Sequence, residues 1–361
     1  MTSLARRLLV WGAGLISACA LAGPALAAPE VKEADFTVRD FRFRSGETLP
    51  ELRLHYRTLG KPHRNARGEI DNAVMILHGT GGTGAQFLRP QFADLLFAPG
   101  GELDPAKYFI VLPDNIGHGG SSKPSDGLRA RFPHYDYDDM VAAQHALLVD
   151  GLKVKSLRLL FGTSMGCMHA FVWGETYPGF ARALMPMACQ PTAIAGRNRL
   201  WRKLAMDSIT NDPAYNGGDY TTQPLAGLRG AQNLLTLAGG AAMALQADYP
   251  TAEAVDRYAG ETVPRAMAAL DANDLLYQLA ASRNYDPSAR LEMITVPVTW
   301  INSADDFINP PELGLAEQFV PRLKDLNYRL IPNSPGGKGH GTHTWAVFWR
   351  EDLRALLARS E

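Results

Sequence analysis

The sequence predicts an α/β protein: a mostly parallel sheet with helices on both faces and a helical cap inserted into it. Three observations predict it. Short continuous apolar runs alternate with helical patterns through the first half of the chain, as in a parallel sheet buried on both faces. One of these runs, Leu157 to Phe161, stops at Gly162-Thr163-Ser164-Met165-Gly166 and turns directly into a helical pattern. From Pro191 to about Arg290 convincing strands disappear, and alanine-rich, glycine-punctuated helical segments take their place. The expected organisation is therefore a core of residues 28–190 and 291–361, with residues 191–290 as the cap.

The elements follow in order. Phe36 to Leu59 alternates apolar and polar residues around Ser45-Gly46-Glu47, which predicts an antiparallel hairpin. Asn72 to Leu77 and Tyr108 to Leu112 are short buried strands, with a helix expected over Gln86 to Phe97 between them. Asp138 to Leu152 has acidic residues in its first turn and Gly151 near its end, the marks of a helix. Ala183 to Ala188, Val296 to Ile301 and Leu326 to Ile331 complete the strands, and Glu312 to Leu323 is expected as one helix. In the last helix Trp345, Phe348, Trp349, Leu353, Leu356 and Leu357 share one face, a pattern of core packing.

Composition sets further bounds. Apolar residues are 46% and charged residues 20%, ordinary for a globular chain with a sizeable core. The net charge of -1, without basic runs, gives no nucleic-acid footprint. Residues 1–27 have the form of a secretory signal peptide: Arg6-Arg7, an apolar run from Leu8 to Leu21, and Ala25-Leu26-Ala27 before Ala28-Pro29. The run is too short and glycine-interrupted for a stable membrane span. A secreted or periplasmic protein is expected, and Ile16-Ser17-Ala18-Cys19 offers the alternative of a lipid anchor at Cys19. Cys167 and Cys189 fall in interior segments and are expected as buried, inert thiols rather than a disulfide pair.

The glycine-flanked serine directs attention to chemistry. A serine at a tight strand-to-helix corner projects its hydroxyl into open space, and the helix N-terminus behind it faces a developing oxyanion. Such a nucleophile needs a base, and the base an acid to orient it, each placed after a strand. Asp305 and Asp306 follow the strand ending at Ile301. His340 and His343 lie in the glycine-rich loop after Ile331, and His340, which follows a glycine, is preferred to the alternative His343. The oxyanion donors expected are the N–H groups of Met165 and Thr80, the latter in the loop after His78, and His78 itself is expected to be structural. The segment Gly79 to Gly84 lacks the terminal Lys-Ser/Thr of a phosphate loop, and no His-Glu-x-x-His accompanies the histidines, so neither a nucleotide cofactor nor a metal is expected.

The chain resembles the α/β-hydrolase superfamily and, within it, the homoserine O-acetyltransferase family. The similarity is densest at Leu103 to Phe109, Asp114-Asn115-Ile116-Gly117, Asp139-Met140-Val141 with Gln144, and Gly162 to Gly166 with Met168. Asn211-Asp212-Pro213 and Gly217-Gly218-Asp219-Tyr220 extend it into the cap. The superfamily's Asp-x-x-x-Pro spacing favours Asp306, four residues before Pro310, over Asp305. The homoserine family also implies an arginine at the position of Met206, for the substrate carboxylate, and an aspartate after the catalytic histidine, where this chain has Gly341. These departures point away from homoserine. The expected function is a serine hydrolase of a carboxylic ester, with a small-molecule acyl substrate, no cofactor, and Ser164, Asp306 and His340 as its working residues. An acyltransferase with a different acceptor is the alternative, and a homodimer is an open expectation. An idle binding module of the same fold would lack a member of this set, and none is missing.

Overall fold

The computed structural model describes residues 30–361, so the leader and Cys19 lie outside the described residues. Eight strands form one sheet in the order β1-β2-β4-β3-β5-β6-β7-β8. The hairpin of β1 (Val31–Arg42) and β2 (Thr48–Leu59) is antiparallel and occupies one edge. Beyond it, β3 (Ala73–Leu77), β4 (Phe109–Pro113), β5 (Leu159–Thr163), β6 (Leu184–Met187), β7 (Val298–Ser303) and β8 (Leu326–Ile331) run parallel.

Every residue of β3 to β7 is buried, which is why these strands read as unbroken apolar runs rather than alternations. Their side chains nonetheless alternate between two cores. Met75, Leu77 and Leu160 face one side, where Met140 and Val141 of α2 (Tyr137–Ala146) and Phe171 and Trp173 of α3 (Met165–Thr176) pack. Val74, Ile76, Leu159 and Phe161 face the other, against Phe92 and Leu96 of α1 (Pro90–Leu96) and the C-terminal segment. A strand period of two thus serves both faces of a three-layer protein.

Between β6 and β7 the described chain is helical: α4 (Gly196–Thr210), α5 (Leu225–Gly239), α6 (Ala242–Asp248), α7 (Ala252–Met267) and α8 (Ala272–Ala280). They bury a third core around Trp201, Ala205, Ile209, Leu228, Leu275 and Leu279. Helices α4 and α5 approach so closely that a Cβ on Gly227 would lie 2.4 Å from the Ser208 carbonyl oxygen. Among the described residues no helix is long and apolar enough to cross a membrane.

Several expectations need correction. The helix expected over Gln86 to Phe97 is split, because Pro90 opens α1 after a short turn at Gly84–Leu88. Glu312 to Leu323 is likewise three pieces, with only α9 (Leu315–Phe319) α-helical; Pro321, which has no N–H to continue it, sits in the turn after it. The last helix, α10 (Arg350–Arg359), begins beyond Trp345. That residue has extended backbone, is 36% exposed and lies under the Lys338 ammonium at 5.1 Å, while Trp349, Leu353 and Leu356 are buried as expected.

The cysteines are the clearest correction. Cys167 and Cys189 form a disulfide, with Cα atoms 5.9 Å apart. They stand 22 residues apart in sequence, but the crossover from β5 through α3 to β6 returns the chain beside its starting point. Closing a loop of this length stabilises a fold by about 3 kcal/mol. The Cys167→Ala/Cys189→Ala double variant is therefore expected to lose roughly that much, read as a lower denaturant midpoint in equilibrium unfolding.

Candidate active site

Ser164 is the single residue between β5 and α3. Its backbone has φ 54° and ψ −111°, a strained conformation for any residue with a Cβ. The glycines on either side are required by contact. A Cβ on Gly162 would lie 1.9 Å from the Gly166 carbonyl oxygen, and one on Gly166 would lie 2.2 Å from that of Leu77 in β3. The corner is held from both neighbours: Ser164 N donates to Met187 O of β6 (2.8 Å) and Gly166 N to His78 O after β3 (3.0 Å).

The structure brings two more of the expected residues to this serine. His340 Nε2 is 2.7 Å from Ser164 Oγ, and its Nδ1 is 2.8 Å from Asp306 Oδ2. Asp306 follows β7 and is fully enclosed. It also accepts from Asn309 Nδ2 (3.0 Å), Ile308 N (2.8 Å) and Asn309 N (3.2 Å). Burial alone would raise its pKa, but the His340 charge and these hydrogen bonds outweigh it and hold the carboxyl below its ordinary value. The carboxylate form is thereby stabilised beside the imidazole.

Neighbouring candidates have other places. Asp305 accepts from Gly339 N at 3.0 Å, anchoring the loop that carries the histidine. Gly339 itself has φ 55°, and a Cβ there would run into the Gly240 carbonyl at 2.6 Å. His343 is buried, its ring 5.2 Å from that of His340, and contacts neither Ser164 nor Asp306 by hydrogen bond. Burial and the neighbouring His340 push its pKa down to about 3.

The loop after β3 passes over the serine. A Cβ on Gly79 would lie 3.1 Å from Ser164 Cβ and 3.6 Å from its Oγ, so the backbone entering Thr80 runs alongside the hydroxyl. Met165 is the first residue of α3, where a helix leaves its N–H groups without intrahelical partners. Ser164 and His340 open onto a cavity of about 890 Å3. Its walls come from the core at Ala188, Cys189 and Asn309 and from the helical segment at Ile194, Asn198 and Arg202. Met206, at the position where the homoserine family carries arginine, is buried in the helical core.

A model of the alpha/beta hydrolase fold matches residues 72–334. The chain belongs to the alpha/beta hydrolase fold family. Within it, the chain resembles the homoserine O-acetyltransferases. A relative named probable acyltransferase, from Methanothermobacter thermautotrophicus, is 30% identical over 82% of this chain and 90% of its own length. A homoserine O-acetyltransferase of Pelobacter propionicus is 28% identical over 85% of this chain and 91% of its own. The acetyl esterase MekB shares the fold with a TM-score of 0.79 at 23% identity, covering 91% of this chain and 97% of the other. A homoserine O-acetyltransferase from Bacillus anthracis does so with a TM-score of 0.79 at 20% identity over 91% and 97%.

In this α/β hydrolase the loop after β3 is fixed by a buried polar chain. His78 Nδ1 donates to the Gly79 carbonyl (2.8 Å), which leaves Nε2 to accept from Asn115 N (3.0 Å). Gln144 of α2 donates to Asn115 Oδ1 and accepts from Trp173 Nε1 of α3 at 2.7 Å. Asp114 adds a second tether, accepting from Gly84 N (2.8 Å), Gly120 N (2.9 Å) and Arg57 Nη1 (3.0 Å). The motif residues Asp114, Asn115 and Gln144 thus position the site without touching its cavity.

The buried histidines make the fold acid-sensitive. Burial lowers the pKa of His78 to about 4 and, with the neighbouring His78, that of His118 to about 3. The unfolded chain binds these protons at about pH 6.5, so stability is full above that value and falls as pH drops toward 4. Replacing His118 by Leu removes one proton from this uptake. The variant's unfolding free energy, measured between pH 6.5 and 4, should depend on pH less steeply by about 1.4 kcal/mol per unit.

Proposed function

We propose that this chain is a serine hydrolase acting on a carboxylic ester through an acyl-enzyme on Ser164. The observation that carries the reading is the hydrogen-bonded series Ser164–His340–Asp306, assembled from the ends of three strands at the floor of one cavity. Ser164 Oγ attacks the acyl carbon while His340 Nε2 takes its proton, and Asp306 holds the imidazole in the tautomer this requires. The N–H groups of Thr80 and Met165 receive the negative charge on the carbonyl oxygen. His340 returns its proton to the leaving alcohol. It then draws one from water, whose oxygen attacks the acyl carbon, and passes that proton to Ser164 Oγ as the acyl–oxygen bond breaks, which frees the serine and the carboxylic acid.

Met206 and Gly341 favour an ester substrate over homoserine, since neither supplies a charge for the carboxylate or the amine of an amino acid. The helices of residues 191–290 form the cap that shapes the pocket. The Cys167–Cys189 disulfide supports export, because such bonds persist in oxidising compartments, and residues 1–27 supply the leader. A second reading, acyl transfer to an alcohol or amine, is favoured by the relative named probable acyltransferase. It shares the acyl-enzyme and differs in what attacks it.

Purified protein is expected to be labelled by a fluorophosphonate at Ser164 and to release acid from short-chain esters. Exclusive transfer to an added alcohol would overturn hydrolysis, and failure of folded protein to label would overturn both readings. Ser164→Ala and His340→Ala should each lower kcat/KM by about a thousandfold or more. His343→Gln, which removes no contact to Ser164 or Asp306, should lower it by less than about tenfold.

A further inference from the structure

The cavity that Ser164 opens onto contains a cation with no ionic partner among the described residues. Arg202, on α4, lines the wall and is only 2% exposed. Its Nε donates to Asn198 Oδ1 at 3.0 Å, and its guanidinium stacks 4.7 Å from the ring centre of Trp201. Nη1 is buried and makes no hydrogen bond of ordinary geometry among the described residues, with the Tyr137 hydroxyl its nearest polar neighbour. Among the described residues no carboxylate forms an ion pair with it; its titratable neighbours are the Tyr137 phenol, kept neutral by burial, and Arg199.

The surroundings point the same way. The Tyr137 hydroxyl and Thr80 Oγ1 are also buried and make no hydrogen bond of ordinary geometry among the described residues. Tyr137 has Arg202, Ser282 and Thr80 around its hydroxyl, so hydroxyls from the loop after β3, α2 and the cap gather behind the guanidinium that lines the cavity. The other charged residues that line the cavity are accounted for. Asp306 is engaged by His340 and Asp305 by Gly339 N. Arg197 donates to the Phe307 carbonyl and lies over its ring, and Glu312 is exposed.

A buried guanidinium stays charged, and its burial is unfavourable unless an anion pairs with it. We propose that Arg202 binds a carboxylate on the substrate, so that the preferred ester carries a negatively charged group in addition to the acyl group that Ser164 receives. The guanidinium sits one helical turn before Met206, four residues along the same helix. Planar, two-pronged N–H donors match a carboxylate better than any neutral group. The chemical class is a monoester of a dicarboxylic acid or an acylated hydroxy acid. This inference rests on the ester-hydrolase reading.

The test compares isosteric esters that differ by a carboxylate in place of a methyl group. On the acyl side the pair is monomethyl glutarate and methyl pentanoate, and on the alcohol side 4-acetoxybutanoate and butyl acetate. In the wild-type enzyme, kcat/KM for the charged member of one pair should exceed that for its neutral partner by about tenfold to a hundredfold, chiefly through KM. The pair that discriminates tells which side of the ester carries the anion. In Arg202→Gln the ratio should fall toward one, and Arg202→Lys, which keeps the charge but not the fork, should retain part of it. A ratio near one for both wild-type pairs, or a ratio unchanged in Arg202→Gln, overturns the inference while leaving ester hydrolysis standing. If no ester is cleaved, thermal shift of the Ser164→Ala protein with monomethyl glutarate and 4-acetoxybutanoate decides. A rise in Tm that disappears in Ser164→Ala/Arg202→Gln upholds the anion site, and no rise with either ester overturns it.

Discussion

The corner at Ser164 is the constraint on which the rest of the site depends. One residue must carry the chain from the centre of a fully buried sheet into a helix that leans back on that sheet. It does so with a left-handed φ of 54° and with no room for a side chain at Gly162 or Gly166. Such strain persists only where the surroundings over-determine it. Here β3 and β6 grip the turn through His78 O and Met187 O, and the buried chain from His78 through Asn115 and Gln144 to Trp173 ties both sides of the turn together. The polar interior serves to hold one serine hydroxyl at the strand ends.

His340 reaches that hydroxyl by a different strategy. Its loop is long and glycine-rich, and so has little intrinsic preference for one shape. The adjacent aspartates impose the shape by dividing the work: Asp305 takes the backbone of Gly339, and Asp306 takes the ring of His340. Asp306 is in turn saturated by Asn309 and Ile308, so the imidazole meets a carboxylate whose charge and direction are already set. Two residues that are chemically identical on paper become a clamp and an orienter because, in succession after β7, one meets the loop's backbone and the other its ring.

The strands, the serine corner and the order of the site residues were legible in the sequence because each is written locally. Buried parallel strands show as apolar runs, and the serine turn needs glycines at fixed offsets. Of the two aspartates Asp306 lies against a histidine ring, and of the two histidines His340 lies against Ser164. What was not legible depends on separation in space. Cys167 and Cys189 meet only because a crossover folds back, which no spacing rule reports. Prolines at positions 90 and 321 interrupt patterns whose periodicity alone suggested longer helices. Trp345 belongs in phase to the apolar stripe of α10 but precedes its first turn. Arg202 was hidden for a simpler reason, since an arginine on a helix is a solvated residue by default and only the enclosing wall makes it otherwise.

The disulfide has a bearing on how this pocket can diversify. Cys167 lies one helical turn beyond Ser164, and Cys189 forms part of the cavity wall. The helix that follows Ser164 and that side of the pocket are therefore a single covalent body, and a change of shape at Ala188 or Cys189 is transmitted to the serine hydroxyl. The opposite wall, at Asn198 and Arg202, lies on α4, whose Trp201 and Ala205 belong to a separate hydrophobic core and which carries no such bond. Selection for new substrates has an open field on that wall and a closed one on the other, so natural or engineered variation in specificity should accumulate on α4 and the segment leading into it.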